Sequence, residues 1–303
     1  MDPRKLEHFL AVIEHGQFNL AAAATGVSQQ AVSKAIAKLE EELGVALFER
    51  SAFGATPTTF ARTLERRAQT ILAETRLANA ELNALSGAKL GTLNLGVGLS
   101  LARNIMAPAI HRFRAQRPGI GISAFVDVSP TLYQRLLRGE LDLVASAPLE
   151  SVQVPPDVTT VRLFMERDAI MVRPQHPLAR AKHLTLSDFV PYPWIAPSQN
   201  YDPWLRVCDA FSAAGISPPK DVIRTDSTPL TISLLSSEDC ICLLGREMMA
   251  HELRTGDLVA LSIAPFSAER PALLAYRSKG PLSPAAKAFI PLLREVCQNL
   301  SAA

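Results

Sequence analysis

The sequence predicts an α/β chain: a helical N-terminal segment, one long helix, and then alternating strands and helices. Three observations carry that prediction. Phe18 to Arg50 reads as two helices separated by a tight turn. Leu64 to Leu85 carries an apolar seam whose spacing alternates between four and three residues. From Thr92 onward, short apolar runs alternate with amphipathic stretches.

The first helix is expected to start at Asp2 as cap, with Pro3 in its first turn. Leu6, Phe9, Leu10 and Ile13 give it a buried face. Leu20 to Ala24 is rich in alanine, which lets two helices approach closely, and Thr25-Gly26-Val27 reads as a turn. Ser28 is placed to cap the following helix, whose free N–H groups otherwise suit a phosphate. On that helix Val32, Ile36, Leu39 and Leu43 form one apolar stripe. Gln29, Gln30, Ser33, Lys34 and Lys38 fall largely off it. Gln bonds adenine edges in a major groove, Lys bonds guanine or phosphate, and Ser bonds either. The pattern is that of a helix-turn-helix and points to duplex DNA. The plainer alternative is a helical hairpin with a solvated polar face.

The segment resembles the N-terminal domain of LysR-type transcriptional regulators. The resemblance rests on LEHFLAVIEHGQF (6–18), the AAxxxxVSQxAVSKxIxxLEEELGVxLFER core (21–50), and the Pro57-Thr58 entry into a further helix. Length and regional order match that family across nearly the whole chain. The resemblance implies a winged helix-turn-helix over 1–58, a linker and dimerisation helix with hinge over 59–90, and a two-lobed effector-binding domain of periplasmic-binding-protein type over 91–303. The wing is then expected from Phe48 to Pro57 with Gly54 at its tip, bringing Arg50 near phosphates. One departure is local: the family usually has Thr-Pro-Ala-Gly where this chain has Thr58-Thr59-Phe60-Ala61, so the junction is expected to pack differently.

In the long helix, Leu64, Ala68, Ile71, Thr75, Ala78, Leu82 and Leu85 form a seam of about three heptads. The small N-terminal domain is not expected to bury it alone, so the seam implies a second copy of the chain; packing on its own chain is the alternative. Ser86-Gly87 and Gly91 read as a hinge.

Beyond the hinge, strands are expected at Leu93–Val97, Ile120–Val126 and Leu141–Ala145, with helices from about Ser100 and over Leu132–Arg138. This βαβαβ order implies a parallel sheet. Further strands are expected at Ala169–Val172, Trp194–Ala196, Val222–Thr225 and Cys240–Leu244. Helices are expected at Asp202–Ala214, Pro229–Leu235 and Pro284–Leu300. The resemblance implies that the chain crosses to a second lobe near Leu163–Glu166 and returns near Pro265–Pro271. Lobe 1 is then about 91–163 and 268–303, and lobe 2 about 164–267.

Composition narrows the function. The 303 residues suffice for two or three domains. No apolar stretch is long enough to span a bilayer, and the N-terminus has no signal-peptide core, so the expected residence is cytoplasmic. The net charge is only +2, and residues 1–90 hold ten basic and ten acidic residues. DNA affinity therefore depends on arrangement: Lys34, Lys38 and Arg50 toward DNA, with Glu40, Glu41 and Glu42 away from it. Cys208, Cys240, Cys242 and Cys297 form no Cys-x-x-Cys pair and read as reduced thiols; a redox pair is the alternative. No nucleophile elbow, zinc signature or phosphate loop occurs, so no enzyme activity, cofactor or metal is expected.

A ligand cleft is expected beyond the carboxyl ends of the strands. Its candidate residues are Leu99, Ser100, Leu101, Ser129, Pro130, Thr131, Trp194, Ser198, Gln199, Asn200, Asp226 and Ser227. Hydroxyls and helix N-termini suit a small carboxylate, Trp194 offers a wall for an aromatic metabolite, and Asp226 would oppose a carboxylate unless it caps its own helix. The same residue types are ordinary helix caps. The expected function is a sequence-specific DNA-binding regulator controlled by a small molecule between two lobes. Its expected partners are promoter DNA, the effector, further copies in a homodimer or homotetramer, and RNA polymerase, with no membrane. The alternatives are a solute-binding protein with an accessory helical dimerisation domain, and a metabolic enzyme with a regulatory N-terminal domain.

Overall fold

A computed structural model describes residues 2–51, 54–85, 91–149, 151–198, 202–267 and 269–301. Three helices open the chain: α1 (Pro3–His15), α2 (Phe18–Thr25) and α3 (Gln29–Leu43). The Asp2 carboxylate accepts from the N–H of Arg4 at 2.9 Å and starts α1. α1 buries Leu6, Phe9, Ala11 and Val12, while Leu10 and Ile13 pack at the edge of the core. Gly26 ends α2 with φ of 69°, a conformation most other side chains resist. The Ser28 hydroxyl accepts from Ala31 N at 3.2 Å and starts α3. Val32, Ile36 and Leu39 are fully buried, whereas Leu43, at the end of the stripe, is 36% exposed.

Strands β1 (Phe48–Ser51) and β2 (Gly54–Pro57) form an antiparallel hairpin from Phe48↔Pro57 to Ser51↔Gly54. The expected wing is present, but Gly54 opens its second strand rather than sitting at the tip. The reason is a close approach. Ala55 N donates to Gly16 O at 2.7 Å, and a Cβ on Gly54 would lie 2.5 Å from that oxygen. Glu40 fixes the hairpin from the other side, its carboxylate accepting from Leu47 N at 2.7 Å and Phe48 N at 3.2 Å.

Helix α4 (Thr59–Leu85) follows. Thr58 builds the junction: its hydroxyl donates to Ala46 O and accepts from Ala61 N, leaving Phe60 59% exposed. The expected seam divides in two. Leu64, Ala68 and Ile71 belong to the N-terminal core, together with Ala61 and Leu72. Ala78 is exposed and Leu82 is 64% exposed. The small N-terminal domain therefore covers more of the helix than its size suggests, because α1 packs along the first turns of α4.

The remaining chain forms two lobes joined by long strands. Lobe 1 holds β3 (Thr92–Val97), α5 (Ala107–Gln116), β4 (Gly121–Val126), α6 (Ser129–Leu137) and β5 (Leu143–Ser146). A 3₁₀ turn (Leu99–Leu101) and a π-helical turn (Ala102–Met106) lead into α5. Strand β6 (Val158–Val172) crosses to lobe 2. Lobe 2 contains β7 (Trp194–Ala196), α7 (Asp202–Ala213), β8 (Val222–Arg224), α8 (Thr228–Ser237), β9 (Ile241–Gly245), α9 (Ala250–Thr255) and β10 (Val259–Leu261). Strand β11 (Glu269–Arg277) returns, and α10 (Pro284–Ser301) closes lobe 1, packing Phe289 on Phe113 of α5 at 5.5 Å.

The strand order is β4-β3-β5-β11-β6-β9-β7-β8, with β10 also on β6. β3 is parallel to β4 and β5, and β7 to β8 and β9, as the βαβ order requires. β6 and β11 run antiparallel along Val158–Arg167 and form the bridge between lobes. Most of β6, and all of α9, β10 and β11, lie outside the sequence expectation. Where the bridge strands meet they carry paired charges, Arg270 with Glu166 and Asp168 and Arg167 with Glu269, which interrupt the pattern there although β11 also holds the apolar run Pro271–Tyr276.

Candidate DNA-reading helix and interlobe cleft

Burial of the Val32–Ile36–Leu39 stripe turns the opposite face of α3 outward. Ser28, Gln29, Gln30, Lys34 and Lys38 are exposed there, and Ser33 is half-buried. The acidic residues on the same helix are largely engaged within the domain. Glu40 holds the hairpin, and Lys5 of α1 pairs with Glu42, its hydrogen bond keeping that carboxyl below the usual range. This separates the charges of a segment that is neutral in sum. Arg50 lies on β1, and its side chain falls outside the described part of the structure.

Between the lobes lies a cavity of about 650 Å³. Its walls come from the carboxyl ends of strands: Gly98–Ser100 after β3, Val126–Pro130 at the end of β4, Pro197 after β7, and Thr225 and Asp226 after β8. Among the expected contacts, Leu99, Ser100, Ser129, Pro130 and Asp226 line it. Thr131, Ser198 and Ser227 do not. Ser198 is turned onto Asp226, donating its N–H to the carboxylate at 3.0 Å and its hydroxyl as well, and the Ser227 hydroxyl accepts from Leu230 N to cap α8. Gln199 and Asn200 lie outside the described residues.

Two expectations are corrected. Leu101 is fully buried in the core of lobe 1. Trp194 is fully buried in lobe 2 among Phe189, Trp204, Phe211 and Phe266, with its indole N–H aimed at Phe189 O. Leu101 ends the 3₁₀ turn after β3 and Trp194 opens β7; a place in the chain fixes a residue's position but not its face, and both side chains point to the core side.

The cleft floor is ionic, which local sequence patterns do not reveal. Arg270 of β11 donates Nε to Glu166 at 2.9 Å and a terminal nitrogen to Asp168 at 2.8 Å, both on β6. Arg206 of α7 adds a second bond to Asp168 at 2.6 Å. Asp168 and Arg270 line the cavity; Glu166 is wholly buried behind them. Burial pushes the Glu166 carboxyl up, against the pull of Arg270 and the Ser100 hydroxyl. Burial opposes the Arg270 charge, but Glu166 and Asp168 outweigh it and hold the guanidinium above its ordinary value. Behind the cleft the π-helical turn joins the lobes: Arg103 pairs with Glu252, and Asn104 donates to the carbonyls of Glu247 and Met248 at 2.8 and 3.1 Å. π turns of this kind concentrate at functional positions.

Burial raises the thiols of Cys240 and Cys297 to about 11 and that of Cys242 to about 12. Such thiols carry little thiolate at neutral pH. Among the described residues no three His, Cys, Asp or Glu side chains are grouped to hold a metal ion, and no helix is long and apolar enough to cross a membrane.

Residues 3–62 match the model of the bacterial regulatory helix-turn-helix proteins of the lysR family, and residues 86–298 match that of the LysR substrate binding domain. The chain belongs to the LysR family of transcriptional regulators. It is 31% identical over 292 residues to the SDS degradation transcriptional activation protein of a Pseudomonas species, covering 95% of this chain and 94% of that protein. Among solved structures, a full-length OxyR variant from Pseudomonas aeruginosa matches with a TM-score of 0.65 at 21% identity, covering 98% and 95% of the two chains. Full-length CbnR complexed with its target DNA matches at 0.59 with 20% identity, covering 98% and 100%. These two likenesses establish the fold. This LysR-type regulator is thus a DNA-binding protein whose second half is an effector-binding domain.

Proposed function

We propose that this LysR-type regulator reads promoter DNA with Ser28, Gln29, Gln30, Ser33 and Lys34 of α3 in the major groove, with Lys38 and Arg50 on phosphates. The winged domain is assigned to 1–58, the linker to 59–90 and the effector domain to 91–303. A small molecule in the cleft sets the angle between lobes and, through a dimer or tetramer, the spacing of the winged domains. The observation that carries this reading is the outward polar face of α3 opposite a fully buried stripe. A structural link between the halves is present: Arg138 of lobe 1 pairs with Glu14 of α1 at 2.8 Å and accepts through its carbonyl from Arg76 of α4. The working compartment is the cytoplasm, where promoter DNA is accessible.

The test is a salt titration of binding to the DNA upstream of the regulator's own reading frame, followed by anisotropy. Lys38→Ala is expected to weaken binding to all sequences and to reduce the slope of log affinity against log salt by about one. An unchanged slope would remove Lys38 from the interface.

A further inference from the structure

A second cavity, of about 280 Å³, lies where the linker helix meets lobe 1. Ala73, Arg76 and Leu77 of α4 form one wall; the start of β3 and the turn after β11 form the other. Beside it the two bodies touch through glycines. Gly139, with φ of 69°, would place a Cβ directly on that of Ala73. Gly280, with φ of 84°, would place one 2.6 Å from the Glu74 carboxylate. The left-handed backbone and the close approach both call for glycine at these turns, so the sequence seats α4 against lobe 1 here.

Three cations line the cavity: Arg76 on the linker wall, and Arg277 and Lys279 on the lobe wall. One acid stands against them among the described lining residues. It is Asp142, whose carboxylate accepts from Asn94 N at 2.8 Å and Nδ2 at 3.4 Å. Arg277 is half-buried, yet among the described residues no carboxylate comes within 4 Å of its guanidinium. It donates to Leu136 O at 3.3 Å. Arg76 likewise has no ion pair among the described residues and donates to Arg138 O at 3.3 Å. Burial pulls the Arg277 guanidinium below its ordinary value; Asp142 and Glu74 oppose that pull from a distance, and the charge of Arg76 adds to it. Two guanidiniums therefore share one cavity with no counter-ion in contact. Lys279 has only an exposed pair with Asp157 at 3.4 Å, a kind that contributes little.

We propose that this cavity binds a tetrahedral oxyanion, inorganic phosphate or the phosphate group of a small ester, held by Arg76 and Arg277 with Lys279 at its mouth. A guanidinium presents paired N–H donors that match such oxygens, and a dianion between two guanidiniums removes their repulsion. Arg76 belongs to the linker and Arg277 to lobe 1, so the bound anion fastens one to the other, next to the contacts of Arg138. The site is separate from the interlobe cleft, with which it shares no described lining residue.

The test is calorimetric titration of the full-length protein with potassium phosphate, glycerol 3-phosphate and potassium chloride, at matched ionic strength in a buffer free of other oxyanions. Both phosphates are expected to give saturable binding and chloride none. Arg277→Gln and Arg76→Gln are each expected to weaken phosphate binding by about tenfold, and Lys279→Gln by less. Arg76 is exposed, so its variant keeps the test decisive if a thermal melt shows that Arg277→Gln does not fold. Tighter binding of glycerol 3-phosphate than of phosphate assigns the site to an ester, and the reverse assigns it to the free ion. No saturable binding of either phosphate overturns the proposal. So does unchanged affinity in Arg76→Gln or in folded Arg277→Gln, which would place the anion elsewhere, as on the DNA-reading face of α3.

Discussion

Buried side chains set the chemistry of single residues here. Cys240, Cys242 and Cys297 keep their protons to about pH 11 or 12 in the folded chain, against about 9 when unfolded. Their contribution to stability is complete below pH 9 and is lost as the pH rises through those folded values, because the unfolded chain then releases protons the folded one retains. The unfolding free energy is expected to fall above pH 9, by up to ~1.4 kcal/mol per pH unit for each thiol, and the urea midpoint to fall with it. Cys242→Ala should reduce that slope; an equal slope in the variant would show that other groups govern alkaline unfolding. Residue-level reading of the sequence succeeded where the signal was local. Ser28, Val32, Ile36 and Leu39 lie within one helix, and their spacing alone orients it. It failed at the cleft floor, where Glu166 and Asp168 meet Arg270 from more than a hundred positions away. No spacing rule links those residues, because a strand crossing brings them together. Trp194 failed for another reason: its strand end was foreseen, but not which face it presents.

At the scale of elements, one close backbone contact seats the wing on α1. Gly54 combines φ of 141° with a backbone oxygen 2.5 Å from where a Cβ would sit. Gly54→Ala is expected to push the hairpin off α1 and destabilise the N-terminal domain by about 1–3 kcal/mol. DNA affinity should fall while ligand binding at the cleft is retained. A melting temperature equal to the wild type would mean that the hairpin is not seated on Gly16. The linker helix teaches a related lesson. Its heptad spacing was legible, but spacing does not say which turns are covered by the same chain and which by another. Leu64, Ala68 and Ile71 are taken by the N-terminal core, so the exposed end at Ala78 and Leu82 is what remains for a second copy. Leu82→Glu places a charge on that end without disturbing the N-terminal core, and is expected to weaken self-association in sedimentation with folding intact. An unchanged oligomer would assign the contact elsewhere.

The whole molecule couples two tasks that sit at opposite ends of the chain. On the proposed reading the outward face of α3 meets DNA and the cleft between the β6-bridged lobes receives the effector; the contacts of Arg138 with Glu14 and Arg76 lie between them. This division was legible early because its two halves differ in periodicity, one helical and one alternating strand with helix. The position of the bridge was less legible, since paired charges interrupt the pattern where β6 and β11 meet, even though β11 holds the apolar run Pro271–Tyr276. The account stands on α3 as the reader of sequence. The most direct measurement is selection of bound duplexes from a random DNA pool by the wild type and by Gln30→Ala. The wild type is expected to enrich one motif with two-fold symmetry. The variant should retain salt-dependent binding while losing about 1–3 kcal/mol of preference at one base pair in each half-site. Enrichment of the same motif with the same preference by both proteins would contradict the assignment of α3 to the major groove.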